Sequence, residues 1–117
     1  YAWKRSNAMG PASYYGSMFV NKIAGTTDGQ KALKSIDQVK NFGAVAKDDN
    51  TIVITLKEKC AYFPSLLTNT TFYPLREDVV NKGKDPLKSD WSDQKNVPTN
   101  GAFTASEINA KDKIVLT

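Results

Sequence analysis

The stretch GAVAKDDNTIVITLKEKCAYFPSLL, residues 43–67, sets a strand, a turn, a second strand and a short helix in immediate succession. β-branched residues recur through Thr51-Ile52-Val53-Ile54-Thr55-Leu56, and Gly43-Ala44-Val45-Ala46-Lys47 precedes them as a second run suited to a pleated surface. Asp48-Asp49-Asn50 between the runs tolerates the backbone of a tight turn. The pattern predicts an antiparallel hairpin, with Ile52, Ile54 and Leu56 on one face and Thr51, Val53 and Thr55 on the other. Residues 62–68 predict a short helix that accepts Pro64 in its first turn, where the missing N–H has no partner to lose, and turns Phe63, Leu66 and Leu67 inward.

Working outward, Tyr1-Ala2-Trp3-Lys4-Arg5 reads as the end of an aromatic-basic helix, and residues 6–11 as a loop because of Gly10-Pro11. Tyr15, Met18, Phe19 and Ile23 recur at three- and four-residue steps, which predicts a helix over residues 12–24, weakened by Gly16 and stopped by Gly25. Residues 26–29 form a turn, and residues 31–40 a short helix with Leu33 and Ile36 inward. Downstream, residues 70–75 read as extended. Residues 76–83 make a brief helix with acids in its first turn and Lys82-Gly83 at its end. Residues 84–99 form a surface excursion anchored by Trp91. Pro98-Thr99-Asn100-Gly101 is a turn, leading to a hairpin whose arms are Ala102-Phe103-Thr104 and Ile114-Val115-Leu116. That last arm needs a neighbour, so the chain is expected to be a piece of something larger. The fold class is α+β: a small mixed or antiparallel sheet with hairpins and short helices.

The chain has 117 residues, enough for one compact unit, and 40% of them are hydrophobic. No apolar run approaches the roughly 20 residues that span a bilayer. A single cysteine, Cys60, excludes an internal disulfide, and the lack of histidine leaves no plausible zinc cluster. The net charge of +4 comes from 14 Lys and 2 Arg against 12 acids. These lysines stand singly among acids, whereas phosphate-tracking surfaces cluster Arg and Lys, so the charge reads as a solvated surface and no nucleic-acid partner is expected.

No catalytic constellation is evident. Ser92-Asp93-Gln94-Lys95 matches Ser-x-x-Lys, but it stands in a polar loop before Pro98 without the companion signals of penicillin-recognising enzymes. Glu77-Asp78 and Asp48-Asp49 are neighbours whose side chains diverge, and each pair has a structural task at a helix start or a turn. Trp3 and Trp91 are packing anchors, and Asn100-Gly101 serves backbone geometry. Asn69-Thr70-Thr71 matches a glycosylation sequon, which would mean nothing were the protein of bacterial type. Tyr14 and Tyr15 are about 100° apart on a helix. Tyr15 joins the inward stripe, which leaves Tyr14 able to face a cleft.

Four stretches, in order, resemble the extracytoplasmic peptide-binding proteins of ABC importers, the family 5 solute-binding proteins. They are YAWKR (residues 1–5), ASYYGSMFVNKIAG (12–25), GAVAKDDNTIVITLKEKCAYFPSLL (43–67) and VPTNGAFTASEINAKDKIVLT (97–117). The last has the Asn-Gly-Ala-aromatic form of the oligopeptide-binding subgroup. The resemblance implies a clamshell of the type II periplasmic-binding-protein kind. Residues 1–117 would be a single partial domain, most of its accessory lobe, with residues 100–117 leading back to the main lobe.

It also implies a non-enzyme without cofactor that captures oligopeptides outside the membrane. Its further partners would be the importer's permease subunits, and an upstream lipid anchor would supply membrane association. An aromatic at the place of Tyr14 approaches the bound peptide in that family. The acid that meets a peptide's amino terminus, and most pocket aromatics, would lie in other parts of such a protein, so this piece is not expected to grip peptide tightly alone. Cys60 departs from the family's apolar residue or Pro and suits a small buried hydrophobe. Rival readings are the same family with a nickel chelate, haem or opine as cargo, and a standalone basic module for nucleic acid or polyanions. A hydrolase using Ser92 is a third.

Overall fold

The structure, a computed structural model, describes residues 1–82, 85–88, 91–93, 97–109 and 111–117. Strands β1 (Ala44–Asp48) and β2 (Thr51–Ile54) form the expected antiparallel hairpin, pairing Ala44 with Ile54, Val45 with Val53 and Ala46 with Ile52. Asp48 opposes Thr51, so Lys47 is an extra residue and the register shifts there as at a bulge. The tip is fixed by the Asp48 carboxylate, whose Oδ1 accepts the Asn50 N–H at 2.9 Å.

The base of this hairpin is joined to a distant segment. Ala24 N donates to Thr55 O at 2.9 Å, Gly43 N to Ala24 O at 2.7 Å, and Lys57 N to Lys22 O at 2.8 Å. Ile23 and Leu56 form an antiparallel bridge. Gly25 makes this approach possible: its φ is 71°, and a Cβ there would lie 1.9 Å from the Asn41 carbonyl oxygen.

By their contacts the described residues fall into two units, residues 1–75 and residues 76–117. The core of the first is built on helix α1 (Ala2–Met9), the short helix α2 (Ser17–Val20) and the single turn α3 (Phe63–Leu66). Ala8, Phe19 and Ile23 are fully buried, and Phe42, Phe63 and Phe72 nearly so. The rings interlock. Trp3 meets Phe72 edge-on at 5.5 Å and Phe19 at 6.0 Å, while Phe19 and Phe72 lie 4.7 Å apart. Trp3 Nε1 donates to Phe72 O at 2.8 Å, so the indole satisfies its polar atom while anchoring the cluster as expected.

The second unit contains α4 (Glu77–Asn81), with Val79 and Val80 buried, and a hairpin of β3 (Ala105–Asn109) and β4 (Lys113–Leu116). The acids of α4 stand in its first turn as expected, while Gly83 lies outside the described residues. In the hairpin Ile108 pairs with Ile114 and Ala105 with Leu116. Backbone bonds between Thr104 and Thr117, at 2.7 and 2.9 Å, extend the ladder.

Several local expectations are corrected. Residues 6–9 belong to α1 rather than to a loop, because Asn7 and Ala8 face the core. The helix expected over residues 12–24 contracts to four residues after a 3-10 turn at Gly10–Ala12. The helix over residues 31–40 shrinks to a 3-10 turn at Ile36–Gln38, capped by the Ser35 hydroxyl, and the buried apolar residue is Val39. Thr70–Phe72 is likewise a 3-10 turn, opened by the Asn69 side chain, before the chain extends at Tyr73. The first arm of the second hairpin lies at Ala105–Asn109, C-terminal to the apolar run Ala102-Phe103-Thr104. Gly101 has no left-handed backbone. It sits in a bend where its N–H donates to Thr99 Oγ1 at 3.0 Å.

Candidate functional site

Tyr14 lies on a turn rather than on a helix. Gly16 N donates to Ser13 O at 2.8 Å, which closes Ser13-Tyr14-Tyr15-Gly16 into a β-turn with the two tyrosines at its centre. Both rings therefore point outward: Tyr14 is 88% exposed and Tyr15 48%. The expectation that Tyr15 joins the inward stripe is corrected, since of the tyrosine pair neither enters the core. Its inward neighbours Phe19 and Ile23 do. The sequence carries the missed signal, for Ser at the first position and Gly at the fourth are favoured in such turns.

The turn is clamped on both sides. Before it, Gly10 (φ 54°) lets the chain pass so close to Lys31 that a Cβ would lie 2.7 Å from the Lys31 carbonyl carbon. Pro11 follows in the 3-10 turn, Ser13 N donates to Gly10 O at 3.0 Å, and the hydroxyls of Ser6 on α1 and Ser13 are hydrogen-bonded. After it, Phe19 N donates to Gly16 O at 3.0 Å and the Phe19 ring is fully buried. The rings of Tyr14 and Tyr15 meet edge to face, with centroids 4.9 Å apart and planes at 82°. Such a pair offers flat apolar surface and phenol hydroxyls, which suits binding rather than bond-breaking.

A concavity lies within the first unit, between the start of α1 and the β1–β2 hairpin. Its volume is about 340 Å³, and Trp3, Phe42, Ala46, Ile52, Phe72 and Pro74 line it, with Lys4 in the wall. Tyr14 is not part of it. At the base of the hairpin, Lys22 Nζ lies 5.1 Å from the centre of the Tyr62 ring and 3.8 Å from Glu58 Oε1. The Tyr62 hydroxyl holds the ammonium's pKa above its usual value, against partial desolvation. Cys60 is half-buried, less enclosed than a core hydrophobe.

The remaining sequence candidates do not converge. Ser92 is exposed on a 3-10 turn at Trp91–Asp93, and Lys95 lies outside the described residues. Asp48 serves the hairpin tip. Asp78 pairs with Arg76, its Oδ2 accepting from Nη2 at 2.7 Å and its Oδ1 from Nε at 3.0 Å. Among the described residues no group of three His, Cys, Asp or Glu side chains could hold a metal ion, and no helix is long and apolar enough to cross a membrane.

The chain is similar along nearly its whole length to periplasmic oligopeptide-binding proteins. It is 31% identical to the periplasmic oligopeptide-binding protein OppA of Escherichia coli over 117 residues, which is 99% of this chain and 20% of that protein. The periplasmic murein peptide-binding protein MppA of the same organism is 24% identical over 119 residues, again 99% of this chain and 20% of the relative. A probable deoxycholate-binding periplasmic protein, YgiS, also of Escherichia coli, is 28% identical over 103 residues, 88% of this chain and 17% of the relative. The chain thus spans about a fifth of the length of the curated relatives it matches. No family model and no solved structure matches it. The small α/β architecture with two antiparallel hairpins is compatible with a piece of such a solute-binding protein.

Proposed function

We propose that residues 1–117 form a partial domain, most of the accessory lobe, of a family 5 solute-binding protein that captures oligopeptides outside the membrane for an ABC importer. The end-to-end similarity to peptide-binding relatives carries this reading. The lobe has no catalytic task. It supplies one wall of a cleft that closes as a clamshell, and residues 100–117 lead toward the main lobe. Tyr14 faces the cleft and contacts the peptide through its ring and hydroxyl; its exposure on a clamped turn supports that role. The permease subunits of the importer are the protein partners. The setting is extracytoplasmic, with a lipid anchor on another part of the protein as the means of membrane association.

Such a receptor binds extended peptides tolerantly by satisfying their main chain and leaving side chains in hydrated space. A second reading keeps the clamshell and changes the cargo, and the relative named as probably deoxycholate-binding favours it. The test is heat stabilisation of the full-length protein by mixtures of short peptides and, separately, by deoxycholate. A ligand at 100 times its Kd stabilises by about 2.7 kcal/mol. A peptide-dependent rise in Tm, smaller in Tyr14→Ala, is the expected result. A protein whose melting ignores every peptide mixture contradicts the peptide reading, and a response to deoxycholate alone replaces it with the second.

A further inference from the structure

Tyr15 shares the surface turn with Tyr14. It is half-exposed, contributes nothing to the aromatic core, and meets one described ring, that of Tyr14. The centroid separation of 4.9 Å and the interplanar angle of 82° are those of an attractive edge-to-face pair. Tyr14 has little else to hold it: at 88% exposure its ring would sample several staggered rotamers if Tyr15 were small. The backbone beneath both residues is fixed by the Ser13–Gly16 closure, the Gly10 approach to Lys31 and the burial of Phe19. Fixed backbone and free ring leave the ring–ring contact as the constraint on where the Tyr14 ring stands.

We infer that Tyr15 is a positioning residue for Tyr14, and that the Tyr14 ring, held by that contact, makes an apolar ledge for a bulky apolar side chain of an extended peptide. This rests on the peptide-binding reading for its ligand, but the positioning is a property of the protein alone. A ring held in advance loses less rotamer freedom on binding than a free one, so removing Tyr15 weakens binding without removing a direct contact. Tyr15→Phe keeps the edge and the face and should behave as the unaltered protein.

Two measurements on the full-length protein test this. The first needs no ligand: with labelled tyrosine, the Tyr14 ring signals are shifted by the neighbouring ring and should move to averaged positions in Tyr15→Ala but not in Tyr15→Phe. Averaged Tyr14 signals in the unaltered protein overturn the inference, whether or not peptide binds. The second is calorimetric titration with alanine-based tetrapeptides carrying Phe at each position in turn.

At the position where Phe binds best, Tyr15→Ala should weaken binding about fivefold with little change in Tm, Tyr15→Phe should not, and Tyr15→Ala added to Tyr14→Ala should weaken it no further. Independent, multiplying losses, or an unchanged affinity in Tyr15→Ala, overturn the inference while leaving the peptide reading intact. Failure of every peptide to bind, with the ring signals as expected, removes the ligand and the ledge but not the positioning.

Discussion

Gly25 concentrates two constraints in one residue. Its φ of 71° disfavours any side chain, and the Asn41 carbonyl occupies the place of a Cβ. A methyl group there must displace backbone that also carries the Ala24–Thr55 and Gly43–Ala24 hydrogen bonds. Gly25→Ala is therefore expected to destabilise the protein by about 2 kcal/mol or more, read as a fall in the denaturant midpoint; a change near zero would show that the segment relaxes freely. The glycine was legible in the sequence as a stop signal for a helix. Its second duty, a close passage beside residue 41, was not, because nothing local in the sequence says which distant carbonyl will lie alongside. Tyr15 illustrates the converse. Its spacing from Met18 and Phe19 fits a helical stripe, yet Ser13 and Gly16 close a turn around it, and the local turn overrides the period.

At the scale of elements, the two hairpins differ in how they are supported. The β1–β2 hairpin gains a third partner where residues 22–24 lie against residues 55–57. The β3–β4 hairpin pairs only with itself among the described residues. The Glu107–Lys113 ion pair, at 3.2 Å, bridges its two strands, and Phe103, Ile114 and Leu116 are exposed. Two strands alone are marginal in water. Hydrogen exchange of this chain should accordingly be slower at Ala24, Gly43 and Thr55 than at Thr104 and Thr117. Equal rates at the two sets would mean that the extra pairing adds no protection.

The first hairpin's tip also makes stability depend on acid. The Asn50 N–H first, and then the Thr51 hydroxyl, hold the Asp48 carboxyl below its usual pKa, and the Arg76 guanidinium does the same for Asp78. A carboxyl depressed in the folded state stabilises it fully above the unfolded value, near 4, and loses that contribution as pH falls through the folded value. Tm should therefore drop between pH 5 and pH 2.5. Asp48→Asn, which keeps an acceptor but no titrating group, should flatten the drop; an unaltered slope would remove Asp48 from the account. This hairpin was readable because alternation and turn residues agree over a dozen positions. The second was readable as a hairpin but misplaced in its first arm, since the polar run Ser106-Glu107 looks like a loop until Lys113 answers Glu107 across the ladder.

For the whole molecule, the likeness to peptide-binding proteins was carried by the order of motifs rather than by any one of them, and similarity along 99% of the chain to an oligopeptide-binding relative agrees with that reading. Helix lengths were overestimated after α1, which itself runs on through the expected loop, because in a chain of tight turns the aromatic residues that suggest a helical period are gathered instead by long-range packing, as Trp3, Phe19 and Phe72 are. The apolar concavity between α1 and the first hairpin could not be read at all, since it depends on three separate segments, residues 1–4, 42–52 and 72–75, coming together. Tyr14 was reached by a faulty route, as the outward member of a helical pair, and its place at the ligand is a proposal that peptide titration decides.

The seam between residues 22–24 and 55–57 has a mechanical side. Only a few residues separate the tyrosine turn from that seam; they include the fully buried Phe19, and the equally buried Ile23 lies in the seam itself. A push on the exposed rings is thus delivered into the base of a ladder, where it must shift the whole hairpin or be resisted. The aromatic turn works less like a loose flap than like the short arm of a lever whose fulcrum is already bolted down.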